Sequence, residues 1–150
     1  MKHIRIPKLA TLAIVVLATS LFSTVSSAQD ASVSATLILA SNEGQGVDAS
    51  LKQYERRLIR AFPFDTFKQQ GTGNFKLRLN GTQTISFPGG QKVTVSYLSN
   101  EGGKYRLSAQ WKKDSKTLTD MTVLASKGHP TVQAAGNSGG KLPLLILVVN

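Results

Sequence analysis

The chain has 150 residues, with 18 Lys or Arg, eight Asp or Glu, two His and no Cys, and a formal net charge of +10. This composition excludes a disulfide scaffold, a Cys–His catalytic pair and a usual zinc site within one chain. The basic balance suits anionic partners, or else it only keeps the protein soluble.

The N-terminus has the three parts of a secretory signal peptide. Lys2, Arg5 and Lys8 precede an apolar stretch from Leu9 to Phe22, interrupted by Thr11, Thr19 and Ser20. Small residues, Ser26 and Ala28, then stand at the −3 and −1 positions of a cut after Ala28. The apolar stretch is shorter than the roughly 20 residues of a comfortable membrane span. An uncleaved anchor is the alternative. The expected organisation is a signal peptide over residues 1–28 and one β-rich domain over 29–150, with no transmembrane segment after cleavage. Lys2, Arg5 and Lys8 carry three of the 18 basic charges and none of the acids, so residues 29–150 keep a net charge of +7.

Residues 32–41 read as a strand with Val33, Ala35, Leu37 and Leu39 on one face. The loop "NEGQG" follows. Residues 49–62 then have helical spacing, with Leu51, Tyr54, Leu58 and Phe62 forming one apolar stripe. Asp48 stands where an N-cap would, able to accept from free first-turn amides. Pro63 ends the helix by pushing Phe62 out of helical angles. Strand patterns follow. Residues 65–70 form a short one, closed by Gly71 and Gly73. In "NFKLRLN" (74–80), Phe75, Leu77 and Leu79 alternate with Lys76 and Arg78, and Asn80-Gly81 predicts a tight hairpin turn. "TQTISF", "QKVTVSYLS" and "KYRLSAQW" come next, separated by Pro88-Gly89-Gly90 and "NEGG", with "KKDSK" turning the chain after them. Residues 117–125, 131–135 and 142–149 complete the series. The last, "LPLLILVV", is apolar throughout and too short to cross a bilayer, so it predicts a strand covered on both faces. The fold class is mainly β: an antiparallel sandwich of about seven to nine short strands with one amphipathic helix packed on it.

Gly44-Gln45-Gly46-Val47-Asp48-Ala49 formally matches a dinucleotide-binding fingerprint between a strand and a helix. That fingerprint works inside a parallel βαβ unit, and a single helix followed by hairpin patterns does not make one. Glu43 and Asp48 would also oppose a phosphate. The expected role is a Gly-rich connection with an acidic cap. A calcium loop through Asn42, Glu43 and Asp48 is a weaker alternative, because the oxygens lack regular ligand spacing.

Catalytic groups are sparse. His129 sits in "KGHPT", a turn before Pro130. Asp65 and Asp120 are the acids embedded in strand-like sequence, and an acid-pair hydrolase would have to use one of them. Asp120 breaks an alternation and suits an edge-protecting charge. No cofactor, metal or catalytic residue is expected. The basic residues are more suggestive. Lys52, Arg56, Arg57 and Arg60 gather on one helix surface, and alternation turns Lys76, Arg78, Lys104 and Arg106 outward on two strands. If the two groups merged, they would make a patch for an anionic ligand.

The stretch "LASNEGQGVDASLKQYERRLIRAFPFDTFK", with "FPGGQ" and the β-rich tail ending in an apolar strand, resembles small exported proteins of environmental bacteria, a family without an established activity. The resemblance implies a compact exported domain and carries no site residues over. The functional expectation is a non-catalytic, periplasmic or secreted binding or assembly module of the bacterial cell envelope. Its partner would be an anionic envelope polymer, a lipid surface or another envelope protein, and not nucleic acid. The alternatives are a structural subunit joined to a larger complex through a sheet edge and, behind it, a small acid-pair hydrolase.

Overall fold

A computed structural model describes residues 29–136 and 139–150. The signal-peptide reading falls on residues 1–28 and lies outside them. The fold is mainly β, with two sheets packed face to face and one short helix.

Strand β1 (Ala31–Ser41) lies in the middle of the first sheet, antiparallel to β3 (Thr66–Leu77) on one side and to β9 (Leu142–Val149) on the other. A two-residue β2 (Gly46–Val47) and a four-residue β8 (Thr131–Ala134) flank them, giving the order β2-β3-β1-β9-β8. The second sheet is a meander: β4 (Thr82–Phe87), β5 (Gln91–Glu101), β6 (Lys104–Lys113) and β7 (Lys116–Ser126).

Successive side chains of β1 and β9 go to opposite faces, and both faces are covered. Val33, Ala35 and Leu37, with Leu145, Leu147 and Val149, meet Val95, Tyr97, Leu107 and Trp111 of the second sheet. Ile38 and Ala40, with Leu144, Ile146 and Val148, meet Leu51, Leu58 and Phe67 on the helix side. That two-sided burial explains why the last strand is apolar at every position.

The helical segment begins as a 3-10 turn, Ala49–Tyr54, and continues as α1 (Glu55–Ala61). Leu51 and Leu58 are fully buried, and Tyr54 and Phe62 are half-buried against the same cluster. Phe62 is extended, at φ −132° and ψ 135°, as the following proline requires.

Three local expectations need correction. Asp48 does not cap the helix with its side chain. Its carboxylate accepts instead from the Gln69 amide at 2.8 Å, so it stitches the connection to β3. Gly71 and Gly73 do not close a strand, because both lie inside the 12-residue β3. A Cβ on Gly71 would stand 2.8 Å from Phe87 Cδ1, and one on Gly73 would stand 3.0 Å from Ile85 Cγ2. Their bare backbone lets β4 lie against β3 where one sheet turns into the other. Asn80-Gly81 does form a tight turn, with the Gly81 amide donating to the Arg78 carbonyl and Asn80 at φ 62°. It joins the two sheets, however, and is not a hairpin. Leu79, at that corner, is 40% exposed and does not point inward.

The true hairpins have the expected chemistry. Gly102 and Gly103, at φ 59° and 80°, join β5 to β6 as a type I′ turn needs. Asp114, at φ 53°, and Ser115 join β6 to β7. Trp111 is fully buried and its indole N–H donates to Gln91 Oε1 at 2.9 Å.

Candidate anionic-ligand sites

The Gly-rich loop is a clamp on the start of β3. Asp65 Oδ1 accepts from the Gly44 amide at 2.9 Å and from the Thr66 hydroxyl at 2.7 Å. Thr66 Oγ1 in turn accepts from the Gln45 amide at 2.9 Å. Gly44 and Gly46, at φ 68° and 73°, make the bend that aims these amides inward. The hydrogen bonds from Thr66 and Gly44 hold the Asp65 carboxyl below its ordinary value. Glu43 is lowered too, first by its hydrogen bond to Lys141 at 2.7 Å and by that lysine's charge. The strand that precedes the fingerprint, β1, is antiparallel to β3, and the parallel pairing across the helix is only the two-residue β2 against β3, Gly46 opposite Thr66 and Val47 opposite Phe67, made by the fingerprint itself rather than by a strand leading into it. The calcium reading meets diverging donors: Asn42 Oδ1 faces the Asp65 amide, Glu43 faces Lys141 and Lys68, and Asp48 faces Gln69.

The two candidate acids do not meet. Asp65 is held in this clamp on the first sheet. Asp120 lies on the outer face of β7 in the second sheet, where Gln110 Nε2 donates to it at 3.2 Å. His129 is exposed, with Nδ1 3.0 Å from the Lys127 carbonyl oxygen.

The eight basic residues are not gathered on one surface. Lys52, Arg56, Arg57 and Arg60 are exposed on the helical segment, over the outer side of the first sheet. Lys52 pairs with Glu55 at 3.0 Å. Arg57 donates to the Pro130 carbonyl at 3.0 Å, which brings the Lys127–Pro130 turn alongside the helix from 73 positions away. Arg56 and Arg60 have no ion pair among the described residues. Between them in sequence Ile59 is 55% exposed, the most exposed of the large apolar side chains among the described residues. Lys76 lies opposite Ser32, at the far end of β1 from the helix, and Arg78 sits in the turn to β4. Lys104 and Arg106 are on the outer face of the second sheet, where Arg106 comes within 3.8 Å of Glu101.

A different basic group stands at one end of the sandwich, around a cleft of about 870 Å³. Leu39, Leu118 and Pro143 give the cleft apolar surface, and Gln70, Gln91 and Thr117 give it polar surface. Lys113 and Lys116 line it as the last cross-strand pair of the β6–β7 hairpin, with Lys141 also on its wall. Lys92 lies directly opposite Lys112 between β5 and β6, next to the buried Val93 and Trp111 and therefore on the outer face of the second sheet, away from the cleft. Among the described residues, none of Lys92, Lys112, Lys113 and Lys116 has a carboxylate within ion-pair distance. The run "KKDSK" was the visible signal for this group, but a turn was all the local sequence demanded. Which lysines face each other depends on register, through partners 20 positions away.

No protein-family model, curated protein or solved structure matches the chain.

Proposed function

We propose that the chain is a non-catalytic exported module of the bacterial envelope that docks on an anionic lipid surface through its helix. The carrying observation is Ile59, more than half exposed between the unpaired Arg56 and Arg60. An aliphatic tip inside a basic surface suits an interface where headgroups are negative and acyl chains lie just beneath. Each arginine near such a surface contributes about 1 kcal/mol, and burying an isoleucine contributes about 1.5–3 kcal/mol. The binding is therefore weak. It is also salt-sensitive, because the field decays over about 8 Å at physiological ionic strength. The separation of Asp65 from Asp120 supports the non-catalytic part of the reading.

Co-sedimentation with phosphatidylglycerol vesicles, at low and moderate salt, tests it. The protein should pellet with these vesicles at low salt and should not pellet with phosphatidylcholine. Arg56→Glu with Arg60→Glu should abolish the binding, and Ile59→Ser should weaken it while keeping its salt dependence. Arg57 is left alone because it ties the helix to Pro130. Equal pelleting of the reversed variant would refute the proposal.

A second reading rests on β7, an 11-residue strand that among the described residues is paired with β6 alone, up to the Lys127–Val149 bridge just past its end. A free edge of that length supports a structural subunit that joins a larger complex by strand addition. Leu124, 52% exposed on that strand, is the place to test it. Leu124→Lys should dissolve such a complex and leave vesicle binding intact.

A further inference from the structure

We propose that the cleft at the β6–β7 end of the sandwich binds an acidic oligosaccharide. The sugar carboxylates would meet Lys113 and Lys116, and its hydroxyls would meet Gln70, Ser115 and Thr117.

The first reason is electrostatic. Lys113 of β6 faces Lys116 of β7 as the last pair of their hairpin, on the wall of the cleft. Like charges directly opposite each other on a sheet destabilise it. No acidic side chain within ion-pair distance offsets the repulsion among the described residues. The fold gains nothing from this arrangement, whereas a bound polyanion would. Asp114, between Lys113 and Lys116 in sequence, also lines the cleft, but its carboxylate is turned over the backbone of Gly90 in the neighbouring turn and makes no ion pair with either lysine.

The second reason is backbone geometry. The pairing of β1 with β3 slips at Leu37/Ile38, leaving Gln70 as the extra residue. The pairing of β6 with β7 slips at Trp111/Lys112, leaving Leu118 as the extra residue. Both extra residues line the same cleft, although they belong to different sheets. Bulges re-aim side chains and concentrate beside functional sites. Two of them converging on one cavity marks it out from the rest of the sandwich.

The third reason is the character of the walls. The volume falls within the roughly 300–1,000 Å³ typical of ligand sites. Leu39 and Pro143 present apolar surface to a sugar ring's C–H face, beside amides and hydroxyls suited to its oxygens. Lys141 is held in place by Glu43 at 2.7 Å, so one wall is already ordered before a ligand arrives. Lysine serves as a point charge toward carboxylates without demanding bidentate geometry.

None of these residues belongs to the helix surface around Ile59, so failure of either proposal leaves the other standing. The test is fluorescence anisotropy with labelled oligogalacturonate, an uncharged maltooligosaccharide of equal length, and a polyglutamate peptide. The oligogalacturonate should bind, more weakly as salt rises, and the neutral sugar should not. Lys113→Gln with Lys116→Gln should lose about tenfold in affinity, the scale of one charge-assisted contact. The same variant should melt no lower than the parent, because the repulsion is relieved. Arg56→Glu with Arg60→Glu should bind the oligogalacturonate as the parent does. Equal binding of the neutral sugar, tighter binding of polyglutamate, or retained affinity in the lysine variant would overturn the proposal. A melting point that falls together with affinity would also overturn it, by assigning the lysines to structure; Lys116→Ala alone repeats the comparison with a smaller change to the hairpin.

Discussion

The two sheets solve the burial problem differently. The first is covered on both faces, by the second sheet and by the helical segment, so β1 and β9 contribute to two apolar clusters. The second is covered on one face. Its other face carries a row of hydroxyls that crosses all four strands, Thr82, Ser96, Ser108 and Thr122 in register. The Thr82 and Ser96 hydroxyls lie 2.8 Å apart, and those of Thr84 and Thr94 2.9 Å apart in the next row. Sequence period follows from coverage. A strand with one wet face alternates, as in "KYRLSAQW", and a strand with two dry faces does not, as in "LPLLILVV". The helix is what makes the first sheet two-sided, and the basic surface with Ile59 is that helix's remaining, solvent-facing side.

The contrast is tested most severely by emptying each cluster in turn. Trp111→Ala removes the largest side chain between the sheets and should cost about 3–5 kcal/mol. Leu58→Ala empties the helix-side cluster and should cost about 2–5 kcal/mol. Arg56→Ala, on the exposed side of the same helix, should stay within about 0.5 kcal/mol. Urea denaturation measures all three. Equal losses for Leu58→Ala and Arg56→Ala would mean that the helix faces are assigned wrongly. Native-state hydrogen exchange refines the comparison. Leu58→Ala should speed exchange first in residues 49–62, whereas Trp111→Ala should loosen both sheets together.

A smaller effect is expected at the corner where the sheets meet. Gly71→Ala would place its new Cβ against the Phe87 ring. The backbone at Gly71 is ordinary, so the penalty is overpacking alone, about 1–3 kcal/mol. Gly71→Ala combined with Phe87→Leu should recover part of it. If the single change costs nothing, β4 does not lie on β3 as described.

This corner also shows where sequence reading reached its limit. The alternation of β5 and β6, the dry final strand, the helix stripe of Leu51 and Leu58, and the glycine turns are local patterns, and each could be read in a window of a few residues. Glycine in isolation signals a turn, so Gly71 and Gly73 predict the end of a strand. Their reason for being glycine lies in Phe87 and Ile85, which no local window includes. Asp48 predicts a cap for the same kind of reason, since its partner Gln69 is 21 positions on. The basic groups fared likewise. Outward facing was legible from alternation, but alternation cannot say which sheet a strand joins. Lys76 therefore parted from Lys104 and Arg106, while Lys92 and Lys112 came together unforeseen.

The smallest expected effect concerns acid and the clamp that fastens the helix side to β3. Asp65 and Glu43 both have lowered folded-state values, from ordinary ones of 3.8 and 4.5. A carboxyl whose folded value is depressed stabilises the fold above its unfolded value, and that contribution is lost as pH falls through the folded one. The clamp should therefore be at full strength at neutral pH and weaken from about pH 4.5 downward. Both groups are solvent-exposed, so the loss is modest and screened by salt. Asp65→Asn isolates it: an amide oxygen can still accept from Gly44, but it carries no charge to titrate. The urea midpoint of the variant should lie slightly below the parent's at pH 7, and the gap should narrow as the pH falls below 3.8. Hydrogen exchange at acid pH should quicken first in the loop and helical segment, residues 42–62, with the second sheet lagging. If parent and variant lose the same midpoint between pH 7 and pH 3, Asp65 contributes nothing to the acid limb. The clamp would then hold through the Thr66 hydroxyl and the backbone alone.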